Sequence, residues 1–280
     1  SHVVGFEVAQ SDTFTRVAER SLRDRGYAVE IVNGGFRGYS TGQALLFLEE
    51  EGLRYQPDVV LYVFGANDPQ DNLTIHRPFR RYGKGYFDLD EHGELVVRGT
   101  PVPDFPHASN LTVGEDGRVL DLPLPLRTRA LLWARDLTVT NSSVATALAN
   151  IVLVLPSFWE GLRGVAAYQG GEPVMDRESR LFRVTAALIE RMERQAAAAG
   201  AEFRIVGAEG PWGSALAGVT AVRALDVLPR FQASVPKGSY GDLLVPFDSH
   251  LNEAGHRLYG EALAASLAEA GLAGRAPRGS

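Results

Sequence analysis

Three short segments carry residue types that together suit acyl transfer. They are Asn33-Gly34-Gly35-Phe36-Arg37-Gly38-Tyr39-Ser40, Gly65-Ala66-Asn67-Asp68-Pro69 and Phe247-Asp248-Ser249-His250-Leu251-Asn252. A glycine lets a backbone N–H approach a developing oxyanion with no side chain in the way. An asparagine amide supplies a second donor to the same oxygen. A histidine serves as general base, and an aspartate fixes its tautomer and stabilises the imidazolium. These parts leave the nucleophile still to be found.

The elements that must position these residues follow from hydrophobic periodicity. Asp12 to Arg25 reads as a helix, with Phe14, Val17, Ala18 and Leu22 at helical spacing and Gly26 behind it. Tyr27 to Val32 reads as a short strand. Thr41 to Gly52 reads as a second amphipathic helix, and the apolar run Asp58 to Phe64 as a strand buried on both faces. Beyond Asp71 the pattern breaks down. Residues 72–176 are rich in Pro, Gly and isolated charges, with one hairpin legible from Tyr86 to Val97, turning at His92-Gly93. Regular pattern resumes with a helix from about Arg177 to Ala199, a strand at Glu202 to Val206, a weaker β run at Val219 to Ala224, and a last helix from Glu253 to Ala270 capped by Asn252. Strands alternating with helices predict a parallel sheet, and in such folds reactive residues collect at the carboxyl ends of the strands. All three segments fall at or near such positions.

The segments also resemble the blocks of the SGNH (GDSL-like) hydrolases. The chain begins Ser1-His2-Val3-Val4-Gly5-Phe6-Glu7-Val8, followed by Asp12-Thr13-Phe14, which is similar to that family's first block without its Gly-Asp. Asn33 to Tyr39 resembles the second block, Gly65-Ala66-Asn67-Asp68 the third, and Asp248 to His256 the last. The resemblance covers about residues 1–71 and 177–270 and implies a serine esterase. It places Ser1 as nucleophile, Gly38 and Asn67 in the oxyanion hole, His250 as base and Asp248 as its orienter. It further implies a three-layer α/β/α sandwich, flavodoxin-like in strand order, as a single domain over 1–280 with 72–176 inserted as a cap that sets substrate choice. The substrate class implied is a small acyl ester, often acetyl on carbohydrate, with no cofactor and no metal. An O-acyltransferase using the same site, or a catalytically silent carbohydrate-binding domain, are the alternatives.

Two departures bear on this. The family's aspartate usually stands three residues before its histidine, where this chain has Phe247; here Asp248 stands two before. Nothing precedes Ser1, so a strand carrying the nucleophile is expected upstream; the competing reading makes Ser1-His2 a cloning remnant and leaves the nucleophile unassigned. A rival serine lies in Gly38-Tyr39-Ser40-Thr41-Gly42, which spells the G-x-S-x-G elbow of α/β-hydrolases. An elbow serine needs a sharp turn directly off its strand, and the stretch Asn33 to Arg37 intervenes. Ser40 is read instead as a helix cap.

Composition excludes several other classes. The charge sum is −6 and the pI near 5.6, opposite to the basic face that a nucleic-acid partner requires. The chain has no cysteine, which removes disulfides, thiolate metal sites and cysteine nucleophiles. It opens without a signal-peptide pattern, and the compartment is left open. The longest uncharged run, between Asp136 and Glu160, is apolar only from Ala145 to Ser157, too short for a bilayer, and reads as a buried helix. His256 is expected to pack or hydrogen-bond locally, and Asp68 to hold its loop. His76, His92 and His107 are expected to be solvated, and so are Arg77, Arg80, Arg81 and Lys84. Asn72, Asn110 and Asn141 stand in N-x-S/T sequons.

Overall fold

A computed structural model describes residues 3–65, 67–77, 82–105, 109–124, 126, 128, 129, 132, 176–207, 210–217, 220–246 and 250–274. In chain order the elements are helices α1 (Phe14–Asp24) and α2 (Thr41–Glu50), strand β1 (Val59–Val63) and helix α3 (Asp68–Leu73). Strands β2 (Tyr86–Leu89), β3 (Leu95–Arg98), β4 (Leu111–Val113) and β5 (Val119–Asp121) follow. After them come α4 (Arg180–Ala198), β6 (Glu202–Val206), α5 (Gly210–Ala217), β7 (Arg223–Ala224), α6 (Leu228–Ser234) and α7 (Glu253–Glu269). The chain divides into two compact units, one formed by 1–69 with 185–280 and the other by 70–184.

The first unit is α/β. Its sheet has the order β1-β6-β7 with both pairs parallel, Val59 opposite Glu202 and Arg204 opposite Arg223. Parallel pairing of strands so far apart in sequence needs crossover connections, which the alternation of strands and helices supplies. About five strands are expected from the resemblance; among the described residues the parallel sheet has three.

The run Tyr27 to Val32 corrects the sequence reading, because only Tyr27 makes a β-bridge and residues 28–32 are extended without joining a strand among the described residues. Its alternation survives: Tyr27, Val29 and Ile31 pack on the core while Val32 is exposed. Its backbone groups are instead met individually. Ile31 N–H donates to the Glu19 carboxylate at 2.9 Å, Arg23 donates to the Val29 carbonyl at 2.8 Å, and Ala28 N–H donates to the Gly274 carbonyl at 3.0 Å. Side chains and a chain segment thus satisfy donors and acceptors that a neighbouring strand would otherwise take.

The core of this unit joins Phe14, Ala18 and Leu22 of α1 to Leu263 and Leu267 of α7, with Val206, Val227 and Phe231. Each such large side chain contributes about 1.5–3 kcal/mol on burial. The two helices approach closely at Gly260, where a Cβ would stand 2.6 Å from the Val17 Cβ and 2.7 Å from the Phe14 carbonyl oxygen. The beginning and end of the chain are thereby held side by side.

The second unit contains two antiparallel hairpins, β2–β3 and β4–β5. The first is the hairpin read from sequence; Gly93 turns it at φ +80°, a conformation that L side chains rarely adopt. Asp88 of β2 is buried and ion-paired with Arg180 and, at 3.6 Å, with Arg98. His76 corrects another expectation: it is 2% exposed, with Nδ1 2.8 Å from the Ser109 carbonyl oxygen, rather than solvated. Arg77 is paired with Asp71, and Lys84 reaches the Asp71 carbonyl. His107, Arg80, Arg81 and the apolar run Ala145 to Ser157 lie outside the described residues. Among the described residues no helix is long and apolar enough to cross a membrane.

Candidate active site

The last block is built by a short antiparallel contact in front of α7. Leu251 bridges Leu244, Val245 N–H donates to the His250 carbonyl at 2.9 Å, and Asn252 N–H donates to the Leu243 carbonyl at 2.8 Å. Asn252 then caps α7, its Oδ1 accepting from Gly255 N–H at 3.1 Å, while its amide donates to the carbonyls of Asp242 and Leu244. His250 is therefore fixed on both sides by backbone pairing, with its ring mostly buried.

The segment after Ser1 runs through turns from Val3 to Val8. Gly5 sits at φ +58°, and a Cβ there would come 2.8 Å from Thr13 Cγ2 and 3.2 Å from His256 Cε1. Both the conformation and the space require glycine. Two residues on, Glu7 Oε1 lies 3.7 Å from His250 Nδ1. The first and last blocks thus meet through a carboxylate and an imidazole. Sequence reasoning missed Glu7, although a lone carboxylate in the apolar run Val3 to Val8 was the available signal.

His256 meets the same region from α7. It is 2% exposed and accepts a hydrogen bond at Nδ1 from Phe14 N–H, 3.1 Å away. That donor belongs to the first turn of α1, where backbone N–H groups lack helical partners and where Thr13 makes no side-chain cap. The expected local role of His256 is thus replaced by a bond to the far end of the chain. Burial lowers its proton affinity below the ordinary histidine value, partly opposed by Glu7 and reinforced by His250.

The second block is tied to the first by Asn33, whose amide donates to the Val3 carbonyl at 2.8 Å and whose Oδ1 accepts from Gly35 N–H at 2.9 Å. Gly38 lies in a turn closed by Tyr39 N–H donating to the Phe36 carbonyl at 3.3 Å. Its φ of +80° accounts for glycine at that position, and an added Cβ would meet nothing within 4 Å. Ser40 is buried, and its hydroxyl and N–H both donate to Gln43 Oε1 at the start of α2. A serine committed to such a capping interaction is poorly placed to attack a substrate.

The third block is held to the second by a short relay. The Tyr62 hydroxyl donates to Asp68 Oδ2 at 2.7 Å, leaving its oxygen to accept from the Thr41 hydroxyl at 2.9 Å. Asp68 Oδ2 also accepts from Gly65 N–H at 2.9 Å, closing the turn that presents Asn67. Asn67 itself is exposed at the end of β1. A Cβ on Gly65 would lie 3.1 Å from its Oδ1. Burial, then the charge of Asp68, pushes the Tyr62 phenol well above its ordinary value, so it remains a donor.

Ser1 and Asp248, the nucleophile and the orienting aspartate of the resemblance, lie outside the described residues. Among the described residues no group of three His, Cys, Asp or Glu side chains could hold a metal ion. Compared with protein-family models, curated proteins and solved structures, the chain matches none of them.

Proposed function

We propose that this chain is a serine esterase acting on a small acyl ester, with a three-layer α/β/α sandwich as its frame. Ser1 Oγ attacks the ester carbonyl while His250 takes its proton, and Asp248 orients His250. Gly38 N–H and the Asn67 amide receive the developing oxyanion. His250 then returns the proton to the leaving alkoxide, and a water activated by the same base releases the acid from the acyl-serine. The observation that supports this reading best is the meeting of the chain's extremes: His250, immediately before the cap of α7, lies within 3.7 Å of Glu7 in the segment that follows Ser1. The buried, capping state of Ser40 weighs in the same direction by removing the competing serine.

Labelling with a fluorophosphonate, followed by mass-spectrometric mapping, tests the assignment. The adduct is expected on Ser1 and is expected to vanish in His250→Ala. An adduct on Ser40 would transfer the chemistry to the elbow motif, and no adduct at all would sink the esterase reading.

A further inference from the structure

Two exposed aromatic rings and an arginine stand on the segments that flank the candidate site. Phe6 is 69% exposed, between buried Gly5 and half-buried Glu7, and Phe36 is 60% exposed. Arg37 lies over the Phe6 ring, its Cζ 5.4 Å from the centroid, and the Phe36 and Tyr39 rings meet at 5.1 Å with their planes tilted by 40°. The two loops are fixed against each other. The Asn33 amide donates to the Val3 carbonyl at 2.8 Å, and a Cβ on Gly35 would stand 2.5 Å from the Val3 Cβ. A single exposed apolar ring needs no explanation, but three rings and a cation gathered on two loops form a patch, and such patches mark binding sites. Among the described residues the guanidinium of Arg37, itself exposed, meets the face of Phe6 and no carboxylate. The ring attracts the charge yet offers no lone pair to the N–H donors.

We infer that Arg37 is a specificity-determining residue that receives a carboxylate carried by the ester, while the exposed rings of Phe6 and Phe36 take the apolar body of the same molecule. The inference deepens the esterase reading and rests on it for calling the bound molecule a substrate. Arg37 immediately precedes Gly38, the proposed oxyanion donor, and Phe6 immediately precedes Glu7, whose Oε1 lies 3.7 Å from His250 Nδ1. Consecutive Cα atoms stand about 3.8 Å apart, so the backbone under the stack is one residue from the proposed chemistry on each loop. A carboxylate is the anion argued because the planar fork of a guanidinium matches its two oxygens, and stacking on Phe6 holds that fork before a ligand arrives. The chain carries a net charge of −6. Its overall field repels anions, so an anionic ester depends on a local cation rather than on long-range attraction. An unbranched acyl chain suits the patch less well, since it gains most from an enclosed slot and these rings are open to water.

Binding is read first, without turnover, by NMR titration of the isotope-labelled full chain with para-acetamidobenzoate and with its neutral methyl ester. The acid should bind roughly 3- to 10-fold more tightly than the methyl ester and should shift the amide signals of Phe6 and of Phe36 to Tyr39. Arg37→Gln should abolish that preference. Arg37→Lys, a point charge without the fork, should keep part of it. Phe6→Leu keeps the cation but removes the ring beneath it, and should weaken the preference as well. Turnover is read second: the ratio of kcat/KM for para-acetoxybenzoate to that for methyl para-acetoxybenzoate should fall in Arg37→Gln by the same factor. A wild-type chain with no preference for the acid overturns the proposal, and so does a preference that survives Arg37→Gln. A chain whose binding preference depends on Arg37 but which cleaves neither ester refutes the esterase reading and leaves the carboxylate site standing. Cleavage with a ratio unmoved by Arg37→Gln does the reverse.

Discussion

Tyr62 decides how the turn after β1 is held, and it does so with one hydroxyl. The phenol donates to buried Asp68 and accepts from Thr41, so a single side chain joins the start of α2 to the turn bearing Asn67. Tyr62→Phe would leave Asp68 buried and short of a donor, which costs about 1–3 kcal/mol by urea unfolding near neutral pH. The difference should depend on pH in a definite sense. The folded phenol ionises well above its ordinary value of 10.0, whereas the unfolded one ionises near it. Wild-type stability therefore falls as pH rises past about 10, because only the unfolded chain has lost the proton. The Phe variant lacks that decline, so the gap should narrow in alkali; a constant gap would show that the phenol is not held protonated. The same residues mark how far the site could be read from sequence. Asn67 and Asp68 were legible as Asn-Asp-Pro turn chemistry at a strand end. Tyr62 was not, since inside a β-rich run an inward-pointing Tyr looks like any other apolar residue until its hydroxyl has a partner.

At the level of elements, the pairing of α1 with α7 shapes the candidate site, and His256 is its polar hinge. In His256→Phe the ring stack on Phe14, with centroids 5.8 Å apart, can persist while the acceptor for Phe14 N–H is lost. A loss of about 1 kcal/mol is expected at pH 7. With its proton affinity lowered in the folded state, His256 contributes fully above about pH 6.5 and progressively less as pH falls below that, because the unfolded histidine charges first. The difference between wild type and variant should shrink in mild acid, and a difference that instead grows would show that the folded ring is the one that charges. Helix boundaries here were readable because periodicity and caps agree: Asn252 caps α7 as expected, and Glu202–Val206 is a strand as read. Tyr27 to Val32 failed as a strand because composition reports only the extended, alternating state. Whether a second strand lies alongside depends on donors elsewhere, here Ala28 to Gly274 and the side chains of Glu19 and Arg23.

The whole molecule places the candidate chemistry in the unit built from both ends of the chain, which no local reading of composition could join. The order of the motifs suggested the two ends as partners, and the contact between them, Glu7 with His250, involves a residue of the first block to which the sequence reading gave no role. The other unit, 70–184, is held by different means, and its ion-paired Asp88 provides a test of whether the two units respond separately. Asp88 is 3% exposed, and Arg180 is its closer cationic partner. Arg180→Met would leave that carboxylate with Leu89 N–H, at 2.8 Å, and, as its cationic partner among the described residues, with Arg98, at 3.6 Å and half exposed, costing about 3 kcal/mol. Hydrogen exchange should then speed at the amides of β2 and β3, which form one antiparallel ladder with Tyr86 opposite Arg98. The amides of β1 and β6, which share neither partner nor sheet with Asp88, should keep their protection. Equal loss of protection in β1 and β6 would mean that the chain opens as a single cooperative body, and that 70–184 is as much a part of the site's support as the sheet itself.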